Sequence, residues 1–193
     1  MSSTIETERL ILRPHRAEDF DDLAAMWADP DVTRFIGGRP STPEESWARL
    51  LRYGGLWGLL GFGYWAVRDR ATGRFVGDVG FADFHRGLDF DCAPEAGWVL
   101  APWAHGRGLA GEAVRAALAW ADARGWARSV CIIDPDNAPS LRLAEACTYQ
   151  EVRRLTYKDH PVILLERAKR WHRPLRLSPP GAGEAGSAAG RPG

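Results

Sequence analysis

The 193-residue chain has no surplus of charge of either sign, since 25 Lys and Arg balance 25 Asp and Glu. Without a basic excess there is no compositional footprint for nucleic acid and no reason to expect docking on anionic lipid. Cysteine is scarce: Cys92, Cys131 and Cys147 form an odd, scattered set. None stands in a CxxC or Cys/His spacing, so structural zinc is not expected. Three unpaired thiols fit a reducing compartment. His15, His85, His160 and His172 show no ligand spacing either, and no metal is expected. Long apolar runs are missing. The most apolar stretch, residues 54–67, carries five glycines and is shorter than a membrane span. The opening residues are charged and lack an apolar core, so a signal peptide is not expected. Together these absences favour a cytoplasmic location.

What is there is ordinary for a globular domain, with 45% apolar and 26% charged residues. The length fits one domain with a sizeable core. From Pro174 onward Gly, Pro, Ala and Ser dominate. We expect a folded domain over residues 1–173 and a flexible tail over 174–193. Residues 9–14 (RLILRP) alternate as a half-buried strand does. Residues 17–28 read as a helix ended by Pro30. Residues 43–53 read as a second helix, capped by Ser41 or Thr42, followed by a glycine-rich connector over 54–63. Strands are expected at 64–68, 75–84 and 95–100, forming an antiparallel meander. The pattern then changes to a helix at 109–123, an apolar strand at 129–133, a helix at 137–146, and strands at 149–155 and 162–166.

The sharpest signal is the loop His105-Gly106-Arg107-Gly108-Leu109-Ala110-Gly111 between a strand and a long helix. Glycines let backbone N–H groups approach a ligand. The helix N-terminus adds unpaired donors and partial positive charge. The combination suits a pyrophosphate. The loop also reads as a literal GxGxxG, with Asp134 at about the distance of a ribose-binding acid. Context argues against a Rossmann site: five residues separate strand from loop, and only one βαβ crossover is present.

His105-Gly106-Arg107-Gly108-Leu109-Ala110 resembles the pyrophosphate loop Q/R-x-x-G-x-G/A of the GNAT acetyltransferases. The opening Thr7-Glu8-Arg9-Leu10-Ile11-Leu12-Arg13-Pro14 is similar to the first strand of the branch that acetylates ribosomal-protein N-termini. Pro94-Glu95-Ala96-Gly97-Trp98-Val99-Leu100 is similar to that branch's fourth strand. Asp134-Pro135-Asp136-Asn137-Ala138-Pro139-Ser140 resembles its fifth-strand exit and next helix. The four pieces stand in the right order and span nearly the whole domain. Three positions depart. His105 replaces the usual Gln or Arg, Cys147-Thr148-Tyr149 replaces Leu-Gly-Phe, and Ala144 sits where many relatives place a tyrosine general acid.

The resemblance implies an α/β (α+β) GNAT fold. Its central sheet is mixed but mostly antiparallel, with helices on both faces and splayed fourth and fifth strands. Acetyl-CoA is the implied co-substrate, its pantetheine arm pairing with main-chain groups of Trp98, Val99 and Leu100. The amides of His105 to Gly111 are the implied pyrophosphate ligands. Asn137 and Ser140 are implied beside the pantetheine and sulfur, with Ser140 as a donor to the leaving thiolate. A helix cap and a first-turn polar residue are their structural alternatives. Glu95 is the candidate base, with Asp89 and Asp91 as rivals and a solvent-facing role as its alternative. The implied acceptor is a primary amine, on a peptide N-terminus or a small molecule. A non-catalytic acyl-CoA-binding module is the alternative from another class. Trp57 either packs or flanks the acceptor cleft. The assembly stays open, a homodimer among the possibilities.

Overall fold

A computed structural model describes residues 3–88 and 93–168. Cys92, Asp89, Asp91, His172 and the segment 174–193 lie outside the described residues. One eight-stranded sheet runs through the molecule. Its strands are β1 (Ile5–Glu6), β2 (Leu10–Pro14), β3 (Tyr64–Asp69), β4 (Phe75–Ala82), β5 (Glu95–Leu100), β6 (Arg128–Ile133), β7 (Gln150–Tyr157) and β8 (His160–Ala168). The spatial order is β1-β2-β3-β4-β5-β6-β8-β7. Every pairing is antiparallel except β5 with β6. The helices are α1 (Phe20–Trp27), the short α2 (Pro30–Thr33), α3 (Pro43–Leu60), α4 (Leu109–Ala123) and α5 (Ala138–Ala146).

Alternation along the strands builds two large cores and a small third one around Ala93, Val130 and Leu164. Leu10, Leu12, Trp65, Val67, Val76, Val79 and Phe81 face α4 and α5, meeting Leu109, Val114, Leu118 and Ala144. Tyr64, Ala66, Phe75 and Ala82 face α1 and α3, meeting Leu23, Trp27, Leu50, Tyr53 and Leu56. The meander over β3, β4 and β5 and the α4 boundaries follow the sequence expectation.

The connector expected over residues 54–63 is instead the second half of α3, which runs to Leu60. Gly54, Gly55 and Gly58 cost roughly 1 kcal/mol each in a helix. Leu50, Tyr53 and Leu56 continue one buried stripe, and each buried side chain returns about 1.5–3 kcal/mol. Burial wins, and the helix stops at Gly61, whose φ is +71°. Trp57 belongs to the packing: its Nε1–H donates to the Tyr64 carbonyl at 2.9 Å, and its ring meets Trp65 and Trp120 edge-on. At the end of α5, Thr148 takes the place of the expected glycine and adopts φ +66°, uncommon for a β-branched residue. The Tyr149 N–H on the Ala144 carbonyl closes that turn at 3.0 Å.

Candidate active site

β5 pairs with β4 along its whole length, from Glu95↔Ala82 to Leu100↔Gly77. With β6 it pairs only at Glu95↔Val130. Beyond Glu95 the two strands diverge, leaving one edge of β5 without a strand partner. Backbone groups of alternate residues point to opposite edges. The Ala101 N–H bonds to Val76 of β4, and the Val99 carbonyl lies against Gly77, where a Cβ would stand 2.1 Å from it. Ala96, Trp98 and Leu100 therefore face the opening. The expectation that Val99 also offers its main chain there is corrected: those groups are turned toward β4. The Leu100 carbonyl is taken as well, accepting from His105 Nε2 at 2.9 Å. His105 thus pins the loop to the end of β5 through its side chain.

The loop from Gly106 to Gly108 leads into α4. Gly106 and Gly108 have φ of +71° and +75°, and Gly108 is an N-cap with no side-chain cap. The first helical bond is Glu112 N–H to the Gly108 carbonyl, 3.2 Å. The amides of Leu109, Ala110 and Gly111 precede it and have no protein acceptor among the described residues. Free donors and the helix dipole meet at the mouth of the β5–β6 opening, a setting that suits an anion.

Side chains of β5 divide between the two faces. Ala96, Trp98 and Leu100 join the α4 core. Glu95 lies on the α1–α3 face and is only 5% exposed. It accepts two bonds from Arg86, Nε to Oε2 at 2.7 Å and Nη2 to Oε1 at 2.9 Å. Arg86 Nη1 also donates to the Tyr157 hydroxyl at 2.8 Å. Burial works against the Arg86 charge, but the bonds to Glu95 and Tyr157 outweigh it and raise its pKa. A carboxylate has about four lone-pair sites, so the fork to Arg86 does not use up the acceptor capacity of Glu95. Tyr64 lies over the same strand, and a Cβ on Gly97 would stand 2.0 Å from its hydroxyl. Burial, with the Glu95 charge nearby, pushes the Tyr64 phenol up, so it stays protonated.

Across the sheet, Asn137 caps α5, its Oδ1 accepting the Ser140 N–H at 3.2 Å. The Ser140 hydroxyl accepts from Trp98 Nε1 at 3.3 Å, keeping its own proton free to donate. Ala144 is fully buried. Glu95 and Ser140 thus stand on opposite faces of the sheet, Glu95 at the pair with Val130 from which β5 and β6 diverge. Among the described residues no group of three His, Cys, Asp or Glu side chains could hold a metal.

Sequence reasoning passed over Arg86, Tyr157 and Tyr64. Arg86 and Tyr157 are 71 positions apart, and no local pattern links them. It also gave no task to Arg9 and Thr7, which grip Glu112 in the first turn of α4.

A family model described as an acetyltransferase (GNAT) domain matches residues 9–150. The uncharacterised N-acetyltransferase p20 of Bacillus licheniformis is 28% identical over 152 residues, 77% of this chain and 83% of that protein. A GNAT-family acetyltransferase from Bordetella pertussis superimposes with a TM-score of 0.77 at 35% identity, covering 86% of this chain and 100% of that one. A Vibrio cholerae protein described as a ribosomal-protein-serine acetyltransferase shares the fold, with a TM-score of 0.69 at 19% identity over 87% of this chain and 99% of that one.

Proposed function

This chain belongs to the GNAT acetyltransferase family, and from that premise we propose that it acetylates a primary amine by direct attack on acetyl-CoA. It is an acetyl-CoA-dependent N-acetyltransferase. The preferred acceptor is the α-amino group of a protein or peptide, with a small-molecule amine second. The observation that carries this reading is the β5–β6 opening, flanked by the uncapped N-terminus of α4.

The residues present fit the co-substrate, which supplies an activated acetyl thioester. The amides of Gly106 to Gly111 hold its pyrophosphate; the expected share of the His105 N–H is corrected, since it already bonds to the Pro102 carbonyl at 3.1 Å. The free backbone groups of Ala96 and Trp98, with the Leu100 N–H, hold the pantetheine as an added strand. The Ser140 hydroxyl donates to the departing sulfur, while Asn137 keeps the start of α5 in register. Glu95, through a water on its free lone pairs, takes the proton from the attacking amine.

An α-amine titrates near 8 and a lysine near 10.4. A carboxylate already shared with Arg86 suits the amine that needs less help. The motifs of residues 7–14 and 94–100 support the same acceptor, as does the fold shared with the Vibrio cholerae enzyme. Such chemistry belongs in the cytoplasm, where thiols stay reduced.

A competition assay tests the acceptor. Peptides with free N-termini, lysine peptides and small amines are mixed with acetyl-CoA and read by mass spectrometry. Acetylation at peptide α-amines is expected. Exclusive lysine modification would overturn the acceptor, and CoA binding without thiol release from any amine would overturn the reaction.

Gly108→Val tests the loop. The added Cβ meets nothing closer than Arg9 Nη2 at 3.6 Å, so the damage comes from a β-branched residue forced to positive φ. CoA affinity is expected to fall at least tenfold, about 1.4 kcal/mol. Unchanged affinity by calorimetry in a folded variant would remove the loop from the site.

A further inference from the structure

The first-strand motif Thr7-Glu8-Arg9-Leu10 lies far from the loop in sequence, yet two of its residues end at the loop. Glu112, in the first turn of α4, has a side chain only 15% exposed. Its Oε1 accepts the Thr7 hydroxyl at 2.6 Å and the Arg9 N–H at 2.9 Å. Its Oε2 accepts Arg9 Nε at 2.7 Å. Arg9 then reaches past Glu112, and its Nη1 donates to the Arg107 carbonyl at 3.0 Å. One guanidinium therefore bonds to both sides of Gly108, to the loop before it and the helix after it.

We propose that Arg9 is a positioning residue for acetyl-CoA, fixing the angle between the glycine loop and the start of α4 so that their amides converge on the pyrophosphate. The inference rests on the reading of residues 105–111 as the pyrophosphate loop. Two physical arguments support it. Gly106 and Gly108 make the loop conformationally permissive, so its amides converge only if something outside the loop restrains it. The bond of His105 to Leu100 restrains the strand side of the loop, and the Arg9 bond to the Arg107 carbonyl restrains the side that enters α4. In addition, Glu112 is an anion in the first turn of a helix whose N-terminus must receive another anion. Arg9 neutralises it, and Thr7 turns its oxygens toward β2.

Lysine separates positioning from simple stabilisation. It keeps a charge beside Glu112 but lacks the planar fork that spans two acceptors. Three variants are compared with the parent by CoA calorimetry, thermal unfolding and steady-state kinetics: Arg9→Lys, Arg9→Met and Gly108→Val. The expected result is a loss of CoA affinity of about tenfold in both Arg9 variants. The KM for acetyl-CoA should rise in parallel, with kcat at saturation nearly unchanged, and Arg9→Lys should melt close to the parent. If Arg9→Lys restores both melting and affinity, Arg9 is a structural ion pair and the proposal fails. It fails equally if Arg9→Met binds CoA like the parent while Gly108→Val does not. If Gly108→Val also binds normally, the loop reading falls and takes this inference with it.

Discussion

A Glu95→Gln enzyme is expected to turn over about 10²–10⁴-fold more slowly than the parent at saturating acceptor, while binding CoA with unchanged affinity. The carboxylate is removed and its shape is kept, so the loss falls on the proton transfer. The side chain is buried and forked with Arg86, so the substitution also weakens an ion pair, and a second variant separates the two effects. Arg86→Gln breaks the same pair but leaves the carboxylate, and kcat should stay within about tenfold of the parent. The pH dependence of kcat supplies the sharper reading. If the acidic limb is the same in Glu95→Gln and the parent, Glu95 is not the base. If Arg86→Gln loses as much as Glu95→Gln, the pair is structural.

The largest stability effect is expected away from the opening, at Asp19. Its carboxylate is fully buried. It accepts both Nη1 and Nη2 of Arg13 at 2.7 and 2.8 Å, Nη2 of Arg68 at 2.6 Å and the Arg16 N–H at 2.8 Å. This joins β2, β3 and the turn that opens α1. Asp19→Asn turns an amide toward two guanidiniums and should cost about 3–5 kcal/mol. In a domain of this size that lowers Tm by on the order of 10 °C. Burial pushes the Asp19 carboxyl up, but the bonds from Arg13, Arg68 and Arg16 prevail and hold it down at about 2.

A depressed carboxyl stabilises the fold above its unfolded value, and the gain disappears as pH falls through the folded one. Linkage puts the contribution at roughly 2.5 kcal/mol at neutral pH. It should be lost between about pH 4 and pH 2. Thermal unfolding across that range should show a steeper decline in the parent than in the variant. A variant melting within about 2 °C of the parent at pH 7 would show that the network carries little of the stability.

Several elements were legible in the chain because their signals are local. The α4 boundaries follow from apolar spacing at period 3.6, and the meander follows from alternation broken by turn residues. The glycine loop declares itself by lying between strand and helix. The α3 boundary was misread for a physical reason. Glycine propensity is a local cost, whereas the burial of Leu56 that overrides it exists only once β3 is beneath the helix. Arg86 was missed on the same ground, since a lone arginine gains meaning only when Glu95 and Tyr157 come within bonding distance.

The sequence by itself determined the family, the order of elements apart from β1 and α2, and the loop that begins α4, all written in contiguous residues. The tertiary structure alone decided which edge of β5 is free, and with it that Ala96, Trp98 and Leu100 face the opening while Val99 does not. It also decided that Glu95 and Ser140 take opposite faces and that Arg9 reaches the glycine loop. These are outcomes of strand register and packing, which bring together residues as far apart as Arg9 and Glu112 and which no window along the chain contains.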